Sequence, residues 1–270
     1  MRSSILRDLL ILAAAGILVF FIGYYIVKKV DFNGPEFGYD FSVEQEEELG
    51  DLIKNGIWSQ FPSVQSYKAD SAMKVITDRL LAAVDSTPYR YQFRIIDNQQ
   101  INAFTIPGGN IYVFSGLIGK SDSPEEVAAV LAHEIGHAEK RHVVNKIVKE
   151  FSIAVVVSIL AGGDPSLILE IIQQAIGTKF DREQEEEADR FALELLERAK
   201  IDPQHLGDFF AKLNDEDMSF NKNLEILMTH PHNDSRIAKV RDYRAGRDFK
   251  EEVIDLDWKA VKAAVREASN

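Results

Sequence analysis

Residues 133–137 read HEIGH, and this motif constrains the chain more than any other feature. His133 and His137 are four residues apart, so on an α-helix they lie ~40° apart around the axis, on one face. Two imidazoles placed in this way can bind one Zn²⁺ ion, and Glu134 lies beside them, within reach of a metal-bound water. The motif therefore indicates a zinc site suited to the hydrolysis of peptide bonds.

The residues around the motif favour a helix. Ser123 is a good N-cap and Pro124 suits the first turn, while Glu125 and Glu126 lie near the positive end of the helix dipole. Gly136 costs roughly 1 kcal/mol of helix stability relative to Ala, so we expect another backbone segment to approach closely there. The alternative is a surface helix with two solvated histidines.

A catalytic zinc ion takes three protein ligands and keeps one position open. If the helix continues, His142 points ~140° away from His137, so we expect it to be exposed or to support a ligand from behind. Glu185 is the better third ligand, and Asp189, on the same face of a predicted helix, would accept the outer N–H of a zinc-bound histidine and fix its tautomer. The alternative for this acidic run is a solvated helix face, but the presence of HEIGH favours the metal site.

Several ordered motifs carry a family resemblance. They are HEIGH, the pattern R-x-x-E-x-x-A-D at residues 182–189, THPHNDSRI at 229–237, INAFTIPGGNIYVFSGLI at 101–118 and AKIDPQHLGDFFAKL at 199–213. Together they resemble the membrane-associated zinc metallopeptidase family that includes HtpX, the Ste-type CAAX prenyl proteases and the periplasmic BepA-like enzymes. The resemblance implies a gluzincin fold, one Zn²⁺ per chain on His133, His137 and Glu185, and Glu134 as general base. Within this family, the sequence most resembles the branch whose members have a single membrane anchor.

The THPHNDSRI segment offers His230 and Arg236 as candidates for a second electrophile, aimed where negative charge develops in the transition state. His230 could instead bind the zinc as a fourth ligand in a resting form of the protein. A turn broken by Pro231, with incidental polar residues, is the alternative for the whole segment.

Residues 101–118 are rich in β-branched and aromatic residues and are interrupted by Gly108–Gly109, which predicts strand, turn, strand. We expect either 102–106 or 110–114 to be an edge strand that pairs with an extended substrate by β-augmentation. An ordinary core hairpin is the alternative. The predicted substrate-binding residues are Asn102, Ala103, Phe104, Gly109 and Asn110.

Residues 9–27 are an unbroken apolar run, long enough to span a bilayer core of ~30 Å. We interpret the run as an uncleaved membrane anchor rather than a cleaved signal. The positive-inside bias weakly favours a domain outside the cytoplasm, and the cytoplasmic face is the alternative. The expected domains are an anchor at 1–30, a zinc metallopeptidase domain at 31–245 and a helical tail at 246–270.

Two shorter apolar segments, 151–161 and 166–176, are each too short to span a bilayer. We expect buried helices of the catalytic domain, with a lid or a membrane-dipping hairpin as the alternative. Trp258, Val261 and Val265 recur at helical spacing and predict a terminal helix that docks on a surface. Because the chain has no Cys, a thiol nucleophile and Cys ligands are excluded, and a net charge of −12 argues against nucleic acid as a partner.

The expected fold class is therefore α+β: a mainly helical zincin (gluzincin) domain with a small twisted β-sheet, plus one N-terminal transmembrane helix. The expected function is zinc-dependent endoproteolysis of extended or unfolded polypeptides. The further expectation of misfolded or membrane-associated substrates, in envelope quality control, follows from the resemblance alone. A latent or non-proteolytic zinc-stabilised chaperone or binding module is the alternative. A protease for prenylated peptides is a weaker alternative. Such an enzyme would need a large chamber enclosed by the membrane, which a single anchor cannot build.

Overall fold

Helices dominate the computed structural model, which describes residues 41–162, 166–177, 179–215, 230 and 234–269. Within these ranges the strands form one three-stranded sheet, so the α+β class is confirmed. The predicted anchor at residues 9–27 lies outside the described residues. None of the helices described is both long enough and apolar enough to cross a membrane.

The elements follow one another along the chain in a simple order. The helices are α1 (Val43–Gln60), α2 (Tyr67–Leu81), α3 (Ser115–Lys120), α4 (Pro124–Glu139), α5 (His142–Phe151), α6 (Ile153–Leu160), α7 (Ser166–Gly177), α8 (Arg182–Arg198), α9 (Gln204–Asp215), α10 (Asp234–Arg244) and α11 (Trp258–Ala268). The strands β1 (Gln92–Ile96), β2 (Ala103–Ile106) and β3 (Asn110–Phe114) all lie between α2 and α3.

The hairpin expected from residues 101–118 is formed by β2 and β3, and residues from Ser115 onward begin α3. The turn needs glycine, because Gly108 and Gly109 have φ angles of 77° and 73°, in the left-handed region. The strand order is β1-β3-β2, with β1 parallel and β2 antiparallel to β3.

The central position of β3 corrects one sequence prediction. Both edges of β3 are paired, so residues 110–114 cannot supply an edge strand for a substrate. Of the two alternatives, only β2 has an edge without a neighbouring strand among the described residues.

Side chains alternate across the sheet and enter two separate cores. Ala103, Ile111 and Val113 face the first core, which also contains buried residues of α2, α4, α8, α9 and α11. Phe104 and Tyr112 face the second core, which contains buried residues of α1, α5, α6 and α7. Helix α4 therefore lies on the first side of the sheet.

The short apolar helices α6 and α7 contribute to the second core. Val156, Ile159 and Ile171 are buried there, together with side chains of α1 and the sheet. This burial favours the interpretation of segments 151–161 and 166–176 as core helices over that of a lid or a membrane-dipping hairpin.

Helix α4 begins and packs as its sequence predicts. The Ser123 hydroxyl accepts a hydrogen bond from the backbone N–H of Glu126, and Pro124 lies in the first turn. A Cβ on Gly136 would lie 2.9 Å from the carbonyl oxygen of Ala188, in α8. The expected close approach of another backbone at Gly136 is thereby confirmed, and it brings α8 directly against α4.

The terminal helix predicted from Trp258, Val261 and Val265 is confirmed as α11, and these three side chains are buried in the first core. Residues before it contact the start of α4: the backbone N–H of Ile254 donates to Glu125 Oε1 over 2.7 Å. This segment therefore packs on the element that carries HEIGH.

Candidate metal centre

Helix α4 directs three polar side chains of HEIGH into one buried space. His133, Glu134 and His137 are all buried, and the Nε2 atoms of the two histidines are 3.0 Å apart. Two imidazole nitrogens at this distance, away from water, repel unless a proton or a cation lies between them. The helical spacing predicted from the sequence thus produces converging nitrogen donors.

Helix α8 adds a carboxylate to these nitrogens. Glu185 Oε1 lies 3.6 Å from His137 Nε2, and Glu185 Oε2 lies 3.5 Å from His133 Nε2. A fourth group, His230 Nδ1, lies 3.2 Å from His133 Nε2 and 2.9 Å from Glu185 Oε1. One donor atom from each of these four residues lies within 4.8 Å of the others.

The residues present fit a zinc ion. Imidazole nitrogens with one carboxylate are the donor set of catalytic zinc sites. Burial lowers the pKa of His137 well below its usual value, which keeps its ring in the neutral form that binds metals. Beside these donors, Glu134 Oε1 is buried and has no hydrogen-bond partner among the described residues, as a carboxylate that awaits a further polar group would.

The pKa values of Glu185 and Glu134 are shifted in opposite directions although both residues are buried. For Glu185, burial opposes ionisation, but attraction to His230 and the contacts with the rings of His137 and His230 outweigh it and hold the pKa well below the usual value. For Glu134, burial raises the pKa, and attraction to His230 and His133 offsets this only in part. Glu185 is therefore the carboxylate suited to bind a cation, and Glu134 the one suited to exchange a proton.

Asp189 and Arg236 support this centre from behind. Asp189 Oδ1 lies 3.0 Å from His133 Nδ1, the ring nitrogen that faces away from the other donors. Arg236 binds both oxygens of Asp189 at 2.6 and 2.7 Å and reaches Glu185 Oε2 at 2.7 Å. Despite burial, the Arg236 charge and the contact with His133 lower the pKa of Asp189 to about 2. The 3.0 Å distance suits the outer hydrogen bond predicted for Asp189, but the orientation of the two groups does not meet hydrogen-bond geometry, so the predicted roles of Asp189 and Arg236 stay predictions.

Thr105 is a polar neighbour of Glu134 that sequence reasoning missed. Its hydroxyl Oγ1 lies 2.9 Å from the carbonyl oxygen of Glu134 and 3.0 Å from Glu134 Oε2. The single hydroxyl hydrogen of Thr105 is shared between these two acceptors, so the contact restrains Oε2, while Oε1 lies 3.5 Å from His230 Nε2. The alternation of β2 places Thr105 on the face of Ala103, but only the fold decides that α4 packs on this face.

Phe180 is a second residue that the sequence did not single out. Its ring lies 4.0 Å from that of His137, at an interplanar angle of 27°, and 5.3 Å from that of His230. It precedes α8 and has no charge or motif that would mark it, so no signal in the sequence could have identified this contact.

His142 occupies a position that a continued helix would not allow. Helix α4 ends at Glu139, Arg141 adopts a left-handed conformation with φ 56°, and α5 begins at His142. His142 is therefore turned back toward the centre, buried, with Nδ1 2.9 Å from Nδ1 of His137. The structure places it behind a candidate ligand, one of the two positions expected for it, because α4 ends at Glu139 and does not continue through His142.

The predicted substrate-binding residues are divided between the two ends of β2. Asn102 and Ala103 are buried at its start, and neither amide atom of Asn102 has a hydrogen-bond partner among the described residues. Phe104 stacks on Tyr112 with ring centroids 5.2 Å apart, so its side chain packs in the second core.

At the other end of β2, Gly109 lies in the β2–β3 turn and Asn110 is the first residue of β3, where the Asn110 amide donates to the carbonyl oxygen of Pro107 over 3.1 Å. Of the two stretches predicted to form the edge, β2 is the one that lies at an edge of the sheet among the described residues, and its Thr105 contacts Glu134.

The chain is similar to proteases of known name. The beta-barrel assembly-enhancing proteases of Yersinia pestis and Escherichia coli strain K12 are each 30% identical to it over 222 residues, which is 77% of this chain and 46% of the relative. The mitochondrial metalloendopeptidase OMA1 of Schizosaccharomyces pombe is 27% identical over 183 residues, 67% of this chain and 54% of that protein. The chain spans about half the length of these curated relatives.

The family model for peptidase family M48 matches residues 68–244. This match covers more than half of the chain, and it includes both helices that supply the candidate ligands, together with His230 and Arg236. The resemblance carried by the sequence motifs is thereby confirmed, and the chain belongs to peptidase family M48, a family of metalloproteases.

Proposed function

We propose that this chain is a zinc-dependent endopeptidase, with His133, His137 and Glu185 as the zinc ligands and Glu134 as the general base. The observation that carries the proposal is the buried convergence of these three donors beside the carboxylate of Glu134, whose Oε1 has no hydrogen-bond partner among the described residues and lies 3.5 Å from His230 Nε2. A site that only stabilised the fold would have no need of that fourth polar group.

Each residue has a distinct task in this proposal. A bound zinc ion supplies a Lewis acid and lowers the pKa of a coordinated water toward neutrality. Glu134 Oε1 takes the proton of the attacking water and later delivers it to the leaving amine. Thr105 holds the other oxygen of Glu134, so the proton-accepting oxygen has one orientation. Asp189 fixes the ring of His133, and Arg236 keeps Asp189 ionised.

We propose extended or unfolded polypeptides as substrates, bound along the outer edge of β2. The support is positional: β2 ends the sheet, and Thr105 at its centre contacts Glu134. A strand bound there would make main-chain hydrogen bonds, which require little of the substrate's side chains. Such tolerance suits misfolded or membrane-associated proteins, and the names of the similar beta-barrel assembly-enhancing proteases are compatible with quality control of the envelope.

We further propose that residues 9–27 anchor the chain in a membrane, with the catalytic domain outside the cytoplasm. The support is the length of the apolar run and the basic residues before it. Exposure on the cytoplasmic side is the alternative, and labelling of engineered cysteines in intact cells, in a chain that has none of its own, distinguishes the two.

One observation favours a second candidate function. His230 Nδ1 lies within the same donor cluster as the three proposed ligands, so His230 could complete a closed four-ligand site. A closed site lacks the exchangeable position that hydrolysis needs. In that state the protein would be a latent protease or a zinc-stabilised binding module.

Cleavage of casein by the full-length chain in detergent tests both candidates. At matched zinc content, Glu134→Gln should lower the cleavage rate by about 10²–10⁴-fold while zinc stays bound. His230→Ala should lower the rate if His230 stabilises the transition state, and raise it if His230 closes the site. Absence of cleavage by both the wild type and His230→Ala, with one zinc bound in each, would contradict the endopeptidase and favour the binding module.

A further inference from the structure

The two candidate histidine ligands are supported from behind in different ways. Behind His133 lies the buried carboxylate of Asp189. Behind His137 lies another imidazole: His137 Nδ1 is 2.9 Å from His142 Nδ1, and His142 Nε2 is 3.0 Å from Glu187 Oε2. The Glu187 side chain is 40% exposed, so this second chain of contacts leads from the buried centre to the surface.

The hydrogen positions along this chain follow from its chemistry. The Nε2 atom of His137 faces the other donors, so it must carry a lone pair to bind a metal, and the ring hydrogen must lie on Nδ1. His137 Nδ1–H can then donate only to a lone pair on His142 Nδ1. The hydrogen of His142 consequently lies on Nε2 and donates to the carboxylate of Glu187. One arrangement of hydrogens thus satisfies both contacts.

We propose that His142 and Glu187 form a positioning relay that fixes the ring orientation and tautomer of His137 and so strengthens its binding to the metal. His142 acts through His137 and does not touch the reacting atoms. The proposal rests on the metal site of the proposed function, but it does not require that the protein hydrolyse peptides.

The backbone around Arg141 is built to present His142 in this way. Arg141 adopts a left-handed conformation, which is unfavourable for a non-glycine residue and ends α4. Its side chain is held by the buried Glu46, with Arg141 Nε 3.0 Å from Glu46 Oε2, and also donates to the carbonyl oxygen of Phe41. These contacts with α1 and with Phe41, two residues before it, maintain the bend that returns His142 to His137.

Zinc affinity of the full-length chain tests the relay without reference to catalysis. We expect His142→Phe, which fills similar volume but cannot accept a hydrogen bond, to weaken zinc binding by about 10–100-fold in competition with a chromophoric chelator. His142→Asn places an acceptor oxygen near the position of Nδ1 and should recover part of the loss. Glu187→Ala should cause a smaller loss than His142→Phe.

A matched control removes a similar pair outside the centre. His205 Nε2 lies 2.8 Å from Glu251 Oε1, so His205→Phe deletes an imidazole–carboxylate contact of the same kind and should leave zinc affinity unchanged. The rise in melting temperature on adding zinc separates positioning from general stability. That rise should shrink in His142→Phe and stay the same in His205→Phe.

Three outcomes would overturn the relay. The first is a zinc affinity of His142→Phe within twofold of the wild type. The second is a lower melting temperature of the metal-free variant with an unchanged rise on adding zinc, which is the result of a merely structural role. The third is absence of zinc binding by the wild type, which overturns the proposed function as well. Normal zinc binding without casein cleavage would contradict only the proposed endopeptidase. The zinc affinities of the His142 and Glu187 variants would then still decide whether the relay exists.

Discussion

Helices α4 and α8 both carry candidate zinc ligands, yet they are built in opposite ways. Every residue of α4 from Pro124 to Ala138 is buried, and apart from its first turn, the HEIGH segment and the terminal Glu139 the helix is apolar. Helix α8 is buried along one face and exposes a highly charged face, which includes the ion pair of Arg182 with Glu186.

The contrast shows how a protein can place ionisable groups in its interior. On α4, the polar atoms of His133, Glu134 and His137 have no access to water, so they depend on the centre and its neighbours. Helix α8 supplies the carboxylates that meet them, and the charge of those carboxylates is balanced by Arg236 from α10. The amphipathic helix thus provides the charge that the buried helix cannot.

The largest expected effect comes from removing that balance. Arg236→Leu leaves Asp189 and Glu185 without their buried cation and should lower the free energy of unfolding by about 3–5 kcal/mol, measured by urea titration of the zinc-free chain. Arg182→Ala removes an exposed pair on the other face of α8 and should cost only about 0.3–0.5 kcal/mol. Equal losses in the free energy of unfolding for Arg236→Leu and Arg182→Ala would mean that the buried and exposed faces of α8 do not differ in the strength of their ion pairs.

A smaller effect is expected where the two helices touch. Gly136→Ala improves helix propensity by about 1 kcal/mol, but the new Cβ would meet the Ala188 backbone at 2.9 Å and overpack the contact by about 1–3 kcal/mol. We expect a net loss of up to about 2 kcal/mol in the free energy of unfolding.

The control for Gly136→Ala is a glycine substitution that is expected to raise the free energy of unfolding instead of lowering it. In Gly119→Ala, within α3, the new Cβ would meet no described atom within 4 Å, and this variant should gain about 0.4–1 kcal/mol. Stabilisation by both substitutions would contradict close packing of α4 on α8.

The smallest effect is expected at the contact of α4 with the sheet. Thr105→Val keeps the shape of the side chain but removes the hydrogen bond to Glu134, worth about 0.5–1.5 kcal/mol. If that bond orients the general base, casein cleavage should slow by about 2- to 13-fold. Thr77→Val removes a buried hydroxyl that bonds only within α2 and should leave the cleavage rate unchanged. Equal rates in Thr105→Val and the wild type would assign Thr105 to packing alone.

Local patterns in the sequence were sufficient for several parts of this structure. The cap at Ser123 and the spacing of HEIGH predicted α4, and the Gly108–Gly109 break predicted the β2–β3 hairpin. The close approach at Gly136 followed from the cost of glycine in a helix. Each of these inferences depends on neighbours within a few residues, where helix geometry, capping and turn preference act directly.

Contacts between distant segments were not accessible in this way. The order β1-β3-β2 excluded residues 110–114 as an edge, although the pattern of each strand is compatible with either position. The bend at Arg141 depends on Glu46, which is 95 residues earlier, and it reversed the direction expected for His142. Phe180 and Thr105 have no local signature at all, because their roles arise from what packs beside them.

The sequence by itself therefore determined the family, the α+β class and the candidate donors, since motif and periodicity report which residue types recur on one face. Only the tertiary structure decided how those donors meet: His133 against Asp189, His137 against His142, and Glu134 against Thr105. The physical reason is that a buried polar group is specified by the partner that satisfies it, and that partner comes from a part of the chain whose position no local interaction dictates.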